Sequence, residues 1–144
     1  MRITRQNALL LAVVASVAAI VAAVWARQQY AHEAELQVAR EFVALLRAGD
    51  YEQAFELTTK SKVWGHDHET FNEFSPRQMC GAFSVSEVFP RQTNGNRLKR
   101  QLSGQDTDMQ EVNVQYEGEC FFRVTLRRGA SGKWQVLKFG SHAG

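Results

Sequence analysis

The feature that most constrains this chain is an uninterrupted apolar run at residues 8–25, ALLLAVVASVAAIVAAVW. The run contains no charged residue, no Gly and no Pro. As an α-helix it would measure about 27 Å, which is close to the thickness of the hydrocarbon core of a bilayer. The sequence therefore predicts a transmembrane anchor over residues 8–26.

Two arginines, Arg2 and Arg5, carry the only ionisable side chains before the run. Because positive charge is retained on the cytoplasmic side of a membrane, residues 1–7 are predicted to be a cytoplasmic head and the remainder to lie in the periplasm. A cleaved signal peptide, cut near residues 24–26, fits the same pattern and would give a protein secreted to the periplasm. The length of the run and Trp25 at its end favour an uncleaved, single-pass anchor in the inner membrane.

The remaining chain is electrically balanced, with fifteen Lys and Arg against fifteen Asp and Glu from Arg27 onward. Since phosphate binding requires a basic surface, this balance argues against a nucleic-acid partner. Four basic residues nevertheless cluster around the turn signal Asn94-Gly95, namely Arg91, Arg97, Lys99 and Arg100. The cluster fits a solvated hairpin tip, or a contact with anionic lipid or an acidic partner.

Two amphipathic helices are predicted between residues 38 and 59, where apolar side chains recur at helical spacing. Gly49 is placed to end the first helix and Asp50 to cap the second, with Gln53 completing a capping box. No Gly or Pro interrupts residues 27–37, which are predicted to be a helical juxtamembrane linker. A short third helix is predicted to begin at Ser75-Pro76-Arg77-Gln78 and to include Cys80.

After Gly81 the apolar residues alternate, as is typical of β-strands. Strands are predicted near residues 83–89, 112–116, 120–127 and 133–139, with an ambiguous pattern at 97–103 that also favours a strand. Helices followed by antiparallel strands indicate an α+β fold, in which two to three helices pack on a curved antiparallel sheet. The predicted periplasmic domain covers residues 38–140 and is followed by a short tail at 141–144.

Three segments resemble the nuclear transport factor 2-like (SnoaL-like) superfamily: AREFVALLRAGDYEQAFELT at 39–58, SPRQMCGAF at 75–83 and GKWQVLKF at 132–139. The resemblance implies a cone in which a bent sheet wraps around N-terminal helices. Members of the superfamily include isomerases and dehydratases, and also exported or anchored domains without catalysis, one of them a periplasmic assembly domain of type IV secretion. The matching segments specify a fold and assign no catalytic position.

The most metal-like segment is His66-Asp67-His68-Glu69. In a helix, His66, Glu69 and Glu73 would share a face, but neither His32 nor His142 is placed to complete a site. The alternative is an acid-rich helix start with Asp67 as its cap, and no metal or other cofactor is predicted.

Catalysis inside a cone would require an ionisable group that points inward. Arg100 is the best candidate for such a position if its segment is a strand, whereas Asp106 and Asp108 fall in a predicted loop. The predicted strands carry no inward Asp or Glu, so the chain is expected to be non-catalytic.

Cys80 and Cys120 are the only cysteines and are predicted to form a disulfide, because export places both in an oxidising compartment. Cys120 also shares a predicted strand face with three apolar residues that should meet the helices. Two separate buried thiols are the alternative.

Strict alternation in the last strand would turn Trp134 and Val136 toward the helices and Leu137 and Phe139 away from them. Phe121 would then join Leu137 and Phe139 in an exposed apolar patch suited to a dimer or a protein partner. A register slipped by one residue would bury the patch instead.

Together these features predict a membrane-anchored periplasmic domain for protein interaction or assembly, with a protein partner or a second copy bound at the membrane. A non-catalytic cone that binds a small ligand is the second expectation. An isomerase-like or dehydratase-like enzyme is the third.

Overall fold

A computed structural model describes residues 5–60, 67–81 and 83–142. The helices are α1 (Arg5–Arg27), α2 (Glu33–Ala48), α3 (Tyr51–Glu56), α4 (His68–Gln78) and α5 (Asn94–Leu102). The strands are β1 (Phe83–Phe89), β2 (Glu111–Gly118), β3 (Phe121–Arg128) and β4 (Trp134–His142).

The protein is an α+β protein with an apolar N-terminal helix and an open sheet of order β1-β2-β3-β4, in which every neighbouring pair is antiparallel. The described residues fall into two units by their contacts. One unit contains the residues up to Tyr30 together with Arg91–Asp108, and the other contains Ala31–Pro90 together with the residues from Met109 onward. In this division Arg91–Asp108 groups with the N-terminal helix, although these residues lie within the domain predicted at 38–140, and that domain boundary stays a prediction.

The boundary between α2 and α3 agrees with the sequence prediction. Gly49 ends α2 with a φ of +74°, a left-handed conformation that glycine adopts without a steric penalty. Asp50 then caps α3, because its carboxylate accepts a hydrogen bond from the Gln53 backbone N–H at 3.1 Å. The Gln53 side chain donates to the same carboxylate at 2.6 Å.

The predicted continuous helix across residues 27–37 is wrong. The first helix ends at Arg27, and α2 starts only at Glu33. Between them, Gln29 forms a β-bridge with Thr93, and His32 has a left-handed backbone with a φ of 51°. The absence of Gly and Pro did not preserve the helix, because pairing with a distant segment and the turn at His32 redirect the chain.

The predicted helix start at Ser75 is also wrong, since Ser75 lies near the end of α4. Asp67 is the cap of this helix and accepts a hydrogen bond from the Thr70 backbone N–H at 2.8 Å. The buried Ser75 hydroxyl instead donates to the Phe71 carbonyl at 2.7 Å. Helix α4 ends at Gln78, so Cys80 follows the helix rather than lying within it.

The core of the second unit lies between α2, α3 and α4 and one face of the sheet. Phe139 of β4 is at its centre, with ring centroids 5.0 Å from Phe42, 5.7 Å from Phe71 and 6.2 Å from Phe122. The remaining buried apolar residues of this cluster are Ala39, Val43, Leu46, Ala54, Phe55, Val114, Tyr116, Val124, Leu126 and Val136. The Phe42 and Phe139 rings meet edge-to-face, a geometry that contributes beyond the area that the rings bury, and the other two pairs are tilted.

The predicted apolar patch is wrong at Phe139, which is only 3% exposed. The pairing of β3 with β4 shifts, so that Lys138 is opposite Thr125 while Val136 is opposite Leu126. Leu137 is the extra residue of this bulge and is half-buried. One inserted residue resets the alternation, so Val136 and Phe139 both reach the core.

Phe121 remains exposed at 53% of its surface, on the opposite side of β3 from the buried Phe122. It follows that Phe121, Leu137 and Phe139 do not form one exposed surface.

Tyr116 of β2 is buried in this core. Only 3% of the residue is exposed, and its ring lies edge-on to Phe122 at 6.1 Å. Burial raises the pKa of the Tyr116 hydroxyl to about 12, while Arg40 and Arg47 act in the opposite direction. Tyr116 is therefore neutral throughout the physiological pH range.

The two phenylalanines give a direct test of the bulge. Replacing Phe139 with Ala should lower the free energy of unfolding by about 3–5 kcal/mol, because it leaves a cavity among the rings of Phe42, Phe71 and Phe122. Replacing Phe121 with Ala should change it by about 0.5 kcal/mol or less, because that side chain is already exposed. Urea unfolding of the full chain in detergent measures both variants. Equal losses would contradict the bulged register.

Candidate functional site

Helix α1 is long and apolar enough to cross a membrane, by its length and composition. The segment covers Gln6–Arg27, and no residue of its most apolar 18-residue window is buried in the described protein. Its leucines, valines and isoleucine are all more than half exposed. Such a surface is stable in hydrocarbon and unfavourable in water.

The chain beyond α1 pairs with the segment that follows β1. The Tyr30 backbone N–H donates to the Gln92 carbonyl at 2.8 Å, and the Asn94 N–H donates to the Gln28 carbonyl at 3.0 Å. The Asn94 side-chain amide also donates to the Trp25 carbonyl at 3.2 Å. The Trp25 carbonyl also accepts from the Gln28 backbone N–H at 3.1 Å, so the Asn94 amide is a second donor to it.

Helix α5 starts against the last turn of α1. Thr93 caps α5, with its hydroxyl accepting from the Asn96 backbone N–H at 3.2 Å. A Cβ atom at Gly95 would lie 2.9 Å from the Ala26 carbonyl oxygen and 3.1 Å from the Ala26 Cβ. Gly95 therefore permits a close approach between the two helices. The prediction of a turn at Asn94-Gly95 and a strand at 97–103 is wrong, because this segment is helical.

Arg97 holds the first unit together. Its guanidinium lies 3.7 Å from the centroid of the Tyr30 ring and forms an ion pair with Asp108 at 2.6 Å. The same group donates to the Gln92 side chain and to the Thr107 carbonyl, each at 3.3 Å. Arg97 thus connects the end of α1 with both flanks of α5, and its charge is balanced within the unit.

The other cations of the predicted basic cluster are more accessible. Arg91 and Lys99 are exposed, and Arg100 is half-buried with its Nε donating to the Asp106 carbonyl at 2.6 Å. The sequence hypothesis that Arg100 points into a cone is wrong, because Arg100 lies on α5 rather than on a strand. Three cations of the cluster lie on α5, beside α1, and Arg91 precedes that helix.

Cys80 and Cys120 lie at disulfide distance in the second unit. The structure joins their sulfur atoms, with Cα atoms 6.2 Å apart and a sequence separation of 40. The connection links the segment after α4 to the turn between β2 and β3. Beside it, Gly81 has a φ of +43°, and the Glu119 side chain lies against the position that a Cβ would occupy.

Part of the metal-like segment lies within the described residues. His66 lies outside the described residues, while Asp67 caps α4 and His68 packs on the Phe55 ring at 4.2 Å. Within the described ranges, no three His, Cys, Asp or Glu side chains are grouped so that they could hold a metal ion. Glu56, 3.5 Å from His68, accepts a hydrogen bond from Lys60, which lowers the pKa of its carboxyl group.

A buried pair of His32 and Glu35 at the start of α2 was not predicted from the sequence. His32 is 4% exposed and Glu35 is 2% exposed, and the His32 Nδ1 lies 3.1 Å from the Glu35 Oε1. Glu35 falls on the apolar side of α2, with Ala39 and Phe42. The helical spacing of Glu35 from these apolar residues was the sequence signal that could have predicted its burial.

A groove of about 340 Å³ lies at the β3–β4 side of the second unit. It is lined by Gln78, Arg123, Thr125, Lys138, Phe139, Gly140 and Ser141. Arg123 and Lys138 are both exposed and bring two positive charges to this groove. Its volume lies within the usual range for small-molecule sites.

Comparison with known proteins identifies no relative of this chain. No family model, no curated protein and no solved structure matches it.

The cysteine pair gives a test of both stability and compartment. Closing a loop of this length should raise the free energy of unfolding by about 4 kcal/mol in the chain-entropy treatment. We expect no titratable thiol in protein taken from its native membrane and unfolded without reductant. Reduction, or replacement of Cys80 and Cys120 with Ser, should lower stability by a similar amount. Two free thiols in the native protein would contradict both the bond and export.

Proposed function

We propose that the protein is a single-pass inner-membrane protein whose α+β domain lies in the periplasm and acts in protein interaction or assembly, without catalysis. The observation that carries the proposal is the combination of an unburied apolar helix with a cysteine pair at disulfide distance. An apolar helix of this length is stable in a bilayer, and a disulfide persists in an oxidising compartment. The basic head before α1 supports a cytoplasmic N-terminus.

The order of elements supports a nuclear transport factor 2-like cone as the finer description. Helices α2 and α3 meet at a Gly49-Asp50 turn, α4 follows, and β2, β3 and β4 form a meander whose inner face packs on these helices. These elements contain the segments that resemble the superfamily. In this interpretation the inside of the cone is filled by aromatic side chains, a feature that favours interaction through an outer surface over chemistry in an interior cavity.

The best candidate for a partner contact is Phe121. It is a large apolar side chain, 53% exposed, on the face of β3 that points away from the core. Exposed Arg123 lies on the same side of the strand, so an aromatic anchor and a cation are adjacent there. Aromatic and arginine side chains commonly dominate the binding energy of protein interfaces.

Reporter fusions and cross-linking test the proposal. Alkaline phosphatase fused after Gly144 should be active and a cytoplasmic reporter inactive, and the protein should remain in membranes after carbonate extraction. A photoreactive phenylalanine analogue at Phe121 should cross-link to a protein in native membranes, whereas the same analogue at the exposed Gln37 of α2 should not. An active cytoplasmic reporter would contradict the topology, and a soluble species beginning near Arg27 would show that the anchor is cleaved.

The groove with Arg123 and Lys138 favours a second candidate function, the binding of a small anionic ligand. Paired Arg and Lys side chains bind carboxylate or phosphate groups, with Arg supplying two parallel donors. A thermal-shift screen of small carboxylates and phosphates on the full chain would detect such binding. Arg123→Gln or Lys138→Gln should abolish any stabilisation, while Lys133→Gln, at an exposed position outside the groove, should not. Stabilisation that survives both groove variants would contradict this candidate.

A further inference from the structure

We propose that α5 lies on the surface of the bilayer that α1 spans, with Leu98 and Leu102 at the boundary of the hydrocarbon and its cations among anionic phospholipid headgroups. The proposal rests on the membrane anchoring described above. It assigns a role to the one segment that departs from the sheet domain and joins the N-terminal helix.

The arrangement of residues around α5 decides which side faces the membrane. At about 100° per residue, Gly95, Leu98 and Leu102 fall within an arc of about 60°. Gly95 is the residue that contacts Ala26 in the last turn of α1. The side of α5 that meets the membrane helix is therefore the side that carries both leucines.

Both leucines are exposed in the described protein, Leu98 at 42% and Leu102 at 80% of the residue surface. An α5 that starts beside the final turn of α1 places them next to the level at which the anchor leaves the hydrocarbon. Trp25, 47% exposed in that turn, marks the same level, because tryptophan prefers the interface between hydrocarbon and headgroups.

The charges of this segment complement an anionic surface. Residues 91–105 contain four cations and no acidic side chain. Arg97 forms an ion pair with Asp108, whereas Lys99 of α5 and Arg27 at the end of α1 are exposed. Basic residues close to a bilayer are attracted to anionic headgroups within about one Debye length.

A lipid surface fits this helix better than a protein partner does. Two leucines on a nine-residue helix offer far less area than the roughly 800 Å² per partner of a stable protein interface. An interfacial helix needs little intrinsic affinity here, because α1 already holds it beside the membrane and raises its effective concentration.

Hydrogen exchange of the full chain in lipid nanodiscs provides the first test. Amides of α5 should exchange about tenfold more slowly in discs of phosphatidylcholine with phosphatidylglycerol than in discs of phosphatidylcholine alone. The Lys99→Gln variant should reduce this difference, and the double variant Leu98→Ser, Leu102→Ser should remove it. Gln37→Ser, at an exposed position of α2 in the other unit, should leave it unchanged.

The same measurement separates the possible failures. Protected amides in β2 and β3 show that a variant has folded. Protection of residues 8–25 without any lipid-dependent change in α5 would overturn this inference while leaving the anchor intact. Unprotected residues 8–25 would overturn the anchor, and this inference with it.

A photoreactive amino acid at position 102 then identifies what α5 touches. In native membranes it should cross-link to phospholipid, and the same group at Gln101, about 100° away around the helix, should do so less. Cross-linking of position 102 to a second copy of the chain or to another protein would overturn the proposal.

Discussion

The packing of the second unit depends on Phe139, whose ring meets those of Phe42, Phe71 and Phe122. That contact exists only because the extra residue Leu137 interrupts the alternation of β4. Without the bulge, either Val136 or Phe139 would leave the core. A one-residue irregularity thus allows two large side chains of one strand to serve the same interior, and it adds the local twist that a bulge produces.

The sequence predicted the elements that local chemistry determines. Gly49 ends α2 through its positive φ, and Asp50 begins α3 through its side-chain acceptor. Alternation of apolar residues identified β2 and β3, because every second residue along these strands faces the core. Alternation failed at Phe139, where a bulge depends on pairing with the neighbouring strand. The helix-capping signal failed at Ser75, because a serine that can cap a helix can also donate its hydroxyl to a carbonyl within one.

The candidate sites were less predictable than the fold. The sequence singled out the basic cluster but placed it at a hairpin tip, since the Asn94-Gly95 signal favours a turn whenever strands flank it. The close approach of Gly95 to Ala26 of α1 is a tertiary relation between distant residues that local sequence does not show. The spacing of Leu98 and Leu102, four residues apart, puts them on one face of either a helix or a strand, so it did not decide between the two.

The hydrogen bond from Asn94 to the Trp25 carbonyl joins residues that are 69 positions apart. Chains are synthesised from the N-terminus at about 5–20 residues per second, so α1 waits several seconds before its partner has been made. During that interval α2, α3, α4 and β1 emerge, and the last turn of α1 lacks the Asn94 donor. Formation of α1 and completion of the first unit are therefore separate events in the life of a nascent chain, because the bond that joins them closes across 69 residues.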